Sequence, residues 1–261
     1  MSNTVRPVGD LLREWRQRRG LSQLDLALDA EISARHLSFL ETGRSRPSRD
    51  MVLNLAERLD VPLRDRNVLL NAAGFAQVFP ERPLTDPALQ LARYAVDQVL
   101  AGHEPFPALA VDRHWNLVAA NRMCERLMSG VSPALLQPPI NVLRVSLHPE
   151  GLAPRTVNLA EWRAHLLTRL RHQIDITSDP ILIRLLRELR DYPAPAEPHP
   201  EPDAAGVIVP FRMTAEGQTL SFFGTVTVFG TPVDITLSEL ALEAFYPADT
   251  ATAEALRRIS E

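Results

Sequence analysis

The stretch GLSQLDLALDAEISARHLSFLETGRSRPS, residues 20–48, constrains the fold more than any other part of the chain, because it has room only for very short helices. Ser22 is a natural N-cap, and Asp25 three residues later completes a shortened capping box. The helix that opens there spans about 23–29 and turns Leu24, Ala27 and Leu28 inward. Ser33 caps the next helix, which runs through Glu41 and is stopped by Gly43. Pro47 and Ser48 start another, with Met51, Val52, Leu55 and Leu59 along one side. Upstream, Val8, Leu11, Leu12 and Trp15 recur at helical spacing over 8–18, before Gly20. Downstream, a helix covers about 63–73 and ends at Gly74. This pattern predicts five short helices around one small apolar core.

Two short helices joined by a three- or four-residue turn, the second exposing polar residues at its start, define a helix-turn-helix. The stretch resembles the XRE family of bacterial and phage repressor domains, with Ser-Gln opening helix two and Leu-Glu-x-Gly-x-x-x-Pro-Ser closing helix three. The resemblance covers about residues 8–75. It implies an all-α, lambda-repressor-like helix-turn-helix domain that binds a double-stranded DNA operator.

The chemistry of individual residues supports those roles. Gln23 lies at the start of helix two, where free backbone N–H groups and the helix dipole favour a phosphate. Helix three must offer polar side chains to the major groove while Leu37 and Leu40 hold it to the core. That leaves Ser33, Ala34, Arg35, His36, Ser38 and Phe39 facing outward. The resemblance places base reading on Ala34, Arg35 and Phe39, the last standing where a polar residue is often found. Arg35 can donate two hydrogen bonds to guanine O6 and N7, and Ala34 or Phe39 can meet a thymine methyl. Arg44 and Arg46, in the loop after Gly43, are placed for phosphates. By the same resemblance, Arg16 and Glu41 pair across helices one and three in a structural role.

Charge is divided unevenly along the chain. The overall balance is -4, but residues 1–78 carry +2 and residues 79–261 carry -6, and all 28 basic residues are arginine. The first segment can approach a polyanion, and the second need not. A balance of only +2 makes non-specific affinity modest, so specific binding calls for a homodimer on a pseudo-palindromic site. With 261 residues, 45% of them hydrophobic and 23% charged, the chain is not disordered, collagenous or histone-like. The single cysteine, Cys124, excludes an internal disulfide framework and fits a reducing compartment. No apolar run approaches the roughly 18 residues a membrane span needs, and the charged N-terminus is no signal peptide. A cytoplasmic protein with no membrane partner is expected.

A domain boundary is expected near residue 78, giving segments 1–78 and 79–261, with 76–86 (AQVFPERPLTD) as linker. Residues 86–101 read as helix, and PALAVDRHWNLVAAN as a hairpin turning at Asp112 to Asn116. Helical pieces follow through Met128. Further helices cover 158–174 and 180–190, the latter with Asp179 as N-cap and Pro180 in first position. YPAPAEPHPEPD, with five prolines in 12 residues, reads as an exposed extended connector. GVIVPFRM and TLSFFGTVTVFG form a second hairpin candidate. TPVDITLSELALEAF is expected to begin as strand at Pro232 and become helix near Leu237.

This order is that of an α+β, PAS-like domain, an antiparallel sheet with helices on one face. Together with the helix-turn-helix it looks like the MmyB-like transcription regulators, on the segments PALAVDRHWNLVAANR, NVLRVSLHP and GLAPRTVNLAEWR. The resemblance implies a C-terminal domain that holds a fatty acid. An internal ligand needs a concave, mostly apolar pocket. Candidates to line it are Trp115, Leu117 and Val118 of the early hairpin, Asn121, Trp162 and Leu166, and Phe222 and Phe229 of the late strands. Arg144, with Arg113 and His148 behind it, is the candidate cation for a ligand carboxylate. The same aromatic and leucine stripes also read as ordinary core.

No GxSxG, P-loop, GxGxxG or HExxH motif occurs, so no catalytic residue, cofactor or metal is assigned. His165 and His172, seven apart and near Asp175, read as surface or packing side chains rather than metal ligands. Cys124 reads as a small core residue, with redox sensing left open. The expected function is sequence-specific DNA binding by a transcriptional regulator, not an enzyme, whose second domain senses a small apolar or amphipathic, fatty-acid-like ligand. Two alternatives stay open: a constitutive repressor whose second domain only dimerises, and an enzyme built on that domain.

Overall fold

Three serines fix where the N-terminal helices begin. The computed structural model describes residues 6–193 and 209–260, and in it the first five helices are α1 (Val8–Arg18), α2 (Gln23–Asp29), α3 (Ala34–Glu41), α4 (Arg49–Arg58) and α5 (Leu63–Ala72). Ser22 Oγ accepts from the Asp25 N–H at 3.1 Å, and the Asp25 carboxylate accepts from the Ser22 N–H at 2.9 Å, a reciprocal box. Ser33 and Ser48 accept from the N–H groups of His36 and Met51 at 3.1 and 3.2 Å. Caps of this kind contribute roughly 1 kcal/mol each. Leu12, Leu26, Leu37, Leu40, Leu55 and Leu69 are fully buried at the centre of this unit. Gly9 allows α1 to press on α3, since a Cβ there would sit 2.4 Å from the Leu40 carbonyl oxygen.

One expected face is turned around. Leu24 and Leu28 are 68% and 77% exposed, while Leu26, Ala27 and Ala30 are buried. Two stripes of i, i+4 spacing overlap on this seven-residue helix, 24/28 and 26/30. Only one can meet Leu37 and Leu40, and it is the second.

A second unit, Leu84–Phe229 and Glu239 onward, is built on a five-stranded antiparallel sheet of order β2-β1-β5-β4-β3. The strands are β1 (Ala108–Val111), β2 (Leu117–Ala120), β3 (Phe211–Ala215), β4 (Gln218–Val228) and β5 (Ala241–Pro247). The two expected hairpins, β1–β2 and β3–β4, flank β5: Ala110 lies opposite Leu242, and Phe223 opposite Tyr246. The Asp112 carboxylate closes the first hairpin by accepting from the N–H groups of His114 and Asn116, each at 2.8 Å. This leaves Trp115 in the left-handed region at φ 66°. The helices of this unit are α6 (Gln90–Gly102), α7 (Arg122–Leu127), α8 (Val142–Leu147), α9 (Leu159–Thr177) and α10 (Pro180–Asp191). They are followed by α11 (Ile235–Ser238), which belongs to the other unit, and by α12 (Thr250–Ser260). Leu143, Leu170, Leu189, Met213, Phe222 and Leu256 anchor the core. The all-α first unit and the α+β second unit are the fold classes the sequence pattern predicts.

The C-terminal expectations need correction. TPVDITLSELALEAF runs helix first and strand second, the reverse of the predicted order. Asp234 Oδ1 accepts from the Thr236 N–H at 2.9 Å and starts α11, whereas the alternating ALEAFY run finds partners on both sides as β5. The closing helix α12, started by the Asp249 carboxylate accepting from the Thr252 N–H at 2.7 Å, went unpredicted. The proline-rich connector, from residue 194 on, and the first residues of GVIVPFRM lie outside the described residues.

Gly230–Ser238 joins the residues up to Pro83 in the first unit. There the Ile235 N–H donates to the Pro80 carbonyl at 2.9 Å, and Thr236 Oγ1 donates to the Arg82 carbonyl at 2.6 Å. The segment after α5 is itself tied down. Asn67 donates to the Phe79 carbonyl at 2.7 Å and accepts from the N–H groups of Val78 and Phe79. Among the described residues, no helix is long and apolar enough to cross a membrane.

Candidate nucleic-acid interface and ligand cavity

The position of α3 is set by a buried ion pair as well as by its leucines. Arg16 on α1 donates from Nε and Nη2 to the two Glu41 carboxylate oxygens at 2.6 and 3.0 Å, and from Nη1 to the Leu21 carbonyl at 2.8 Å. Gln23, at the start of α2, donates to Glu41 Oε2 at 2.8 Å. Burial pushes the Glu41 carboxyl up, but the hydrogen bonds from Arg16 and Gln23 and the charges of Arg16 and Arg13 outweigh it and hold it below its usual value. Three helices are thus locked through one carboxylate. The Gln23 amide, expected at a phosphate, is occupied within the fold by this bond.

Arg35, His36, Ser38 and Phe39 are left on the side of α3 away from Leu37 and Leu40, whereas Ala34, expected to face outward, lies one turn before Leu37 and packs partly against the core. Ser33 is exposed, its hydroxyl engaged in the cap. The Arg35 guanidinium lies 5.3 Å from the centre of the Phe39 ring, and that of Arg44 lies 5.8 Å from it. Two cations therefore share one aromatic ring, an arrangement worth about 0.5–1 kcal/mol each at an exposed site. Among the described residues, none of Arg35, Arg44 and Arg46 is held in a salt bridge. Their charges can meet base edges or phosphates without first breaking an internal ion pair. Phe39, half-buried, supplies the surface that steers the two guanidinium groups.

In the second unit, helices and sheet line a partly open cavity of about 100 Å³. Its walls are mainly Trp115, Leu143, Trp162, Leu166, Phe211 and Phe222, and its charged lining residues are Arg169 and Glu243. Arg169 on α9 donates to the Glu243 carboxylate at 2.6 and 3.2 Å, and its guanidinium sits 4.8 Å from the centre of the Trp115 ring. The indole N–H groups are satisfied elsewhere: Trp115 donates to Gln173 at 2.8 Å and Trp162 to Ser146 at 3.0 Å. Cys124 also lines the cavity. Burial, with Glu125 and Glu104 adding to it, pushes its thiol up to about 12, so the sulfur is a protonated packing group.

Of the predicted lining residues and candidate cations, Trp115, Trp162, Leu166 and Phe222 face this cavity, and seven others do not. Asn121 caps α7 and bridges to β1: its carbonyl oxygen accepts from Cys124 and Ala108, and its amide donates to the Phe106 carbonyl at 2.7 Å. Arg144, expected to hold a carboxylate, donates instead to Glu188 on α10 at 2.7 and 2.8 Å. It sits between inward-facing Leu143 and Val145 on a six-residue helix, so its own side chain must leave the core. His148 packs edge-on against Tyr192, 5.0 Å between ring centres, and accepts from the Glu150 N–H. Phe229 packs with a separate cluster around Val96, Leu100 and Leu240. Val118 is exposed and Leu117 packs beside Leu109 and Val111, while Arg113 pairs with Asp179 and Glu239.

The residues missed were Arg169 and Glu243, and both left a signal. Arg169 falls seven residues after Trp162 and three after Leu166, on the apolar stripe of α9. Glu243 alternates with Ala241 and Phe245 on β5, an acid on an inward face.

A family model described as the MmyB-like transcription regulator ligand binding domain matches residues 92–259, and a helix-turn-helix model matches residues 12–65. The chain is 36% identical over 120 residues to a "Putative HTH-type transcriptional regulatory protein" of Methanoculleus marisnigri, a match covering 44% of this chain and 38% of that protein. It is 44% identical over 54 residues to the "HTH-type transcriptional regulator DdrOP3" of Deinococcus deserti, covering 21% of this chain and 42% of the relative. The chain thus spans less than half the length of these relatives.

Proposed function

The chain belongs to the MmyB-like transcription regulators, and from that premise we propose that it is a cytoplasmic, homodimeric, sequence-specific DNA-binding regulator whose second unit takes a small apolar or amphipathic molecule. The observation that carries the reading is the outer face of α3. Arg35 and Arg44 flank Phe39 there and, among the described residues, form no salt bridge. Arg35, in the first turn of α3, reads a guanine through two hydrogen bonds, and Ala34 or Phe39 meets a thymine methyl. Arg44 and Arg46 hold phosphates and fix register.

The apolar cavity supports the sensing half of the proposal. Coupling has a covalent route. Phe222 on β4 and Glu243 on β5 line the cavity, and the chain between these strands passes through the first unit as Gly230–Ser238. A ligand that prefers one dimer geometry biases the spacing of the two DNA readers, with a coupling typically of about 1–3 kcal/mol.

Selection of the full-length protein against a randomised duplex pool over a range of salt concentrations tests the reading. The expected result is an enriched pseudo-palindrome with half-sites about 10 base pairs apart, centre to centre. Retention that is lost with salt and enriches no sequence would overturn it.

A further inference from the structure

We infer that the cavity of the second unit selects an uncharged head group, the carbonyl of an amide, ester or ketone on a short apolar chain, over the ionised carboxylate of the same chain. The inference deepens the ligand reading above and rests on it. The cavity has two charged lining residues, and they neutralise each other: both Glu243 oxygens accept from Arg169, at 2.6 and 3.2 Å. The Glu243 side chain is only 7% exposed and that of Arg169 29%, so water reaches the pair from the arginine side and screens the carboxylate only in part. A ligand carboxylate brought to Arg169 would have to share that guanidinium with a buried anion, and two negative charges at close range in a partly screened site repel each other.

A neutral carbonyl meets no such opposition. Arg169 uses two of its five N–H groups on Glu243, and no other protein acceptor takes the rest among the described residues. Those donors can reach a carbonyl oxygen while the ion pair stays intact. Trp115, packed 4.8 Å from the guanidinium, holds its plane in place, and Leu166 and Phe211 supply the apolar wall for the chain. Arg144, the cation that would suit a carboxylate by sequence, is engaged with Glu188 and does not line the cavity.

The test is titration of the full-length protein with hexanamide and with sodium hexanoate at pH 7.5, read by ligand-observed NMR. Hexanamide should bind at least tenfold more tightly, and Glu243→Gln, which leaves Arg169 positive and unneutralised, should abolish or invert that ratio. Equal or tighter binding of hexanoate to the wild-type protein would overturn the inference, as would a ratio unchanged in Glu243→Gln. If that variant does not fold, the wild-type ratio decides alone. Failure of both probes to bind at millimolar concentration would instead remove the cavity as a ligand site, and the inference with it.

Discussion

Arg16 on α1 and Glu41 on α3 meet through two hydrogen bonds of 2.6 and 3.0 Å, with the carboxylate 1% exposed. Removing one partner strands the other. Glu41→Ala should therefore destabilise the first unit by about 3–5 kcal/mol, while replacing both, Arg16→Met with Glu41→Leu, should restore most of the loss. Urea unfolding followed by circular dichroism measures both. A double variant as unstable as the single one would show that the pair itself, and not the stranded charge, dominates.

The same carboxyl sets a pH dependence. Its folded value lies below the ordinary 4.5, so between the two values the unfolded chain binds more protons than the folded one. Stability from Glu41 is therefore complete above about 4.5 and is lost as pH falls through the depressed folded value. Glu41→Gln should flatten that limb of the stability profile between about pH 5 and pH 2. A limb of unchanged slope in the variant would assign acid sensitivity to other carboxyls, such as Asp179 or Glu188, whose values are also lowered.

The reversed face of α2 predicts a sharp contrast. Leu26→Ala should cost about 2–5 kcal/mol, and Leu24→Gln should stay within about 0.5 kcal/mol of the wild type. Thermal melts of the two variants decide between the 26/30 stripe and the 24/28 stripe.

Sequence pattern carried the N-terminal helices well because their signals are local. Ser22, Ser33 and Ser48 declare their helices by chemistry that acts within three residues, and the Arg16–Glu41 pair is the one the family resemblance implies. What failed depended on distant partners. The choice between two stripes on α2 is made by Leu37 and Leu40, and β5 is a strand because β1 and β4 flank it. Arg144 and Arg169 are both single arginines among apolar residues. Which one reaches the cavity is decided by Glu188 on α10 and Glu243 on β5, neither of which lies near its partner in sequence.

That distinction is measurable. The Arg144–Glu188 pair is about two-fifths exposed on each side, so Arg144→Ala should cost no more than about 1 kcal/mol and leave hexanamide affinity within twofold. Arg169→Met should weaken hexanamide binding at least tenfold, since it removes the donor. Ligand-observed NMR with a melt of each variant separates the two outcomes, and the opposite pattern would return the ligand to Arg144.

Base reading by α3 is the central claim, and binding-site selection run in parallel on wild-type protein, Arg35→Ala and Arg44→Ala tests it most directly. The wild type should yield a motif with a guanine preference in each half-site. Arg35→Ala should lose that one position at a cost of about 1–3 kcal/mol, and Arg44→Ala should weaken all sequences alike while keeping the motif. A motif unchanged by Arg35→Ala, or an equal loss on every sequence from both variants, would contradict the account.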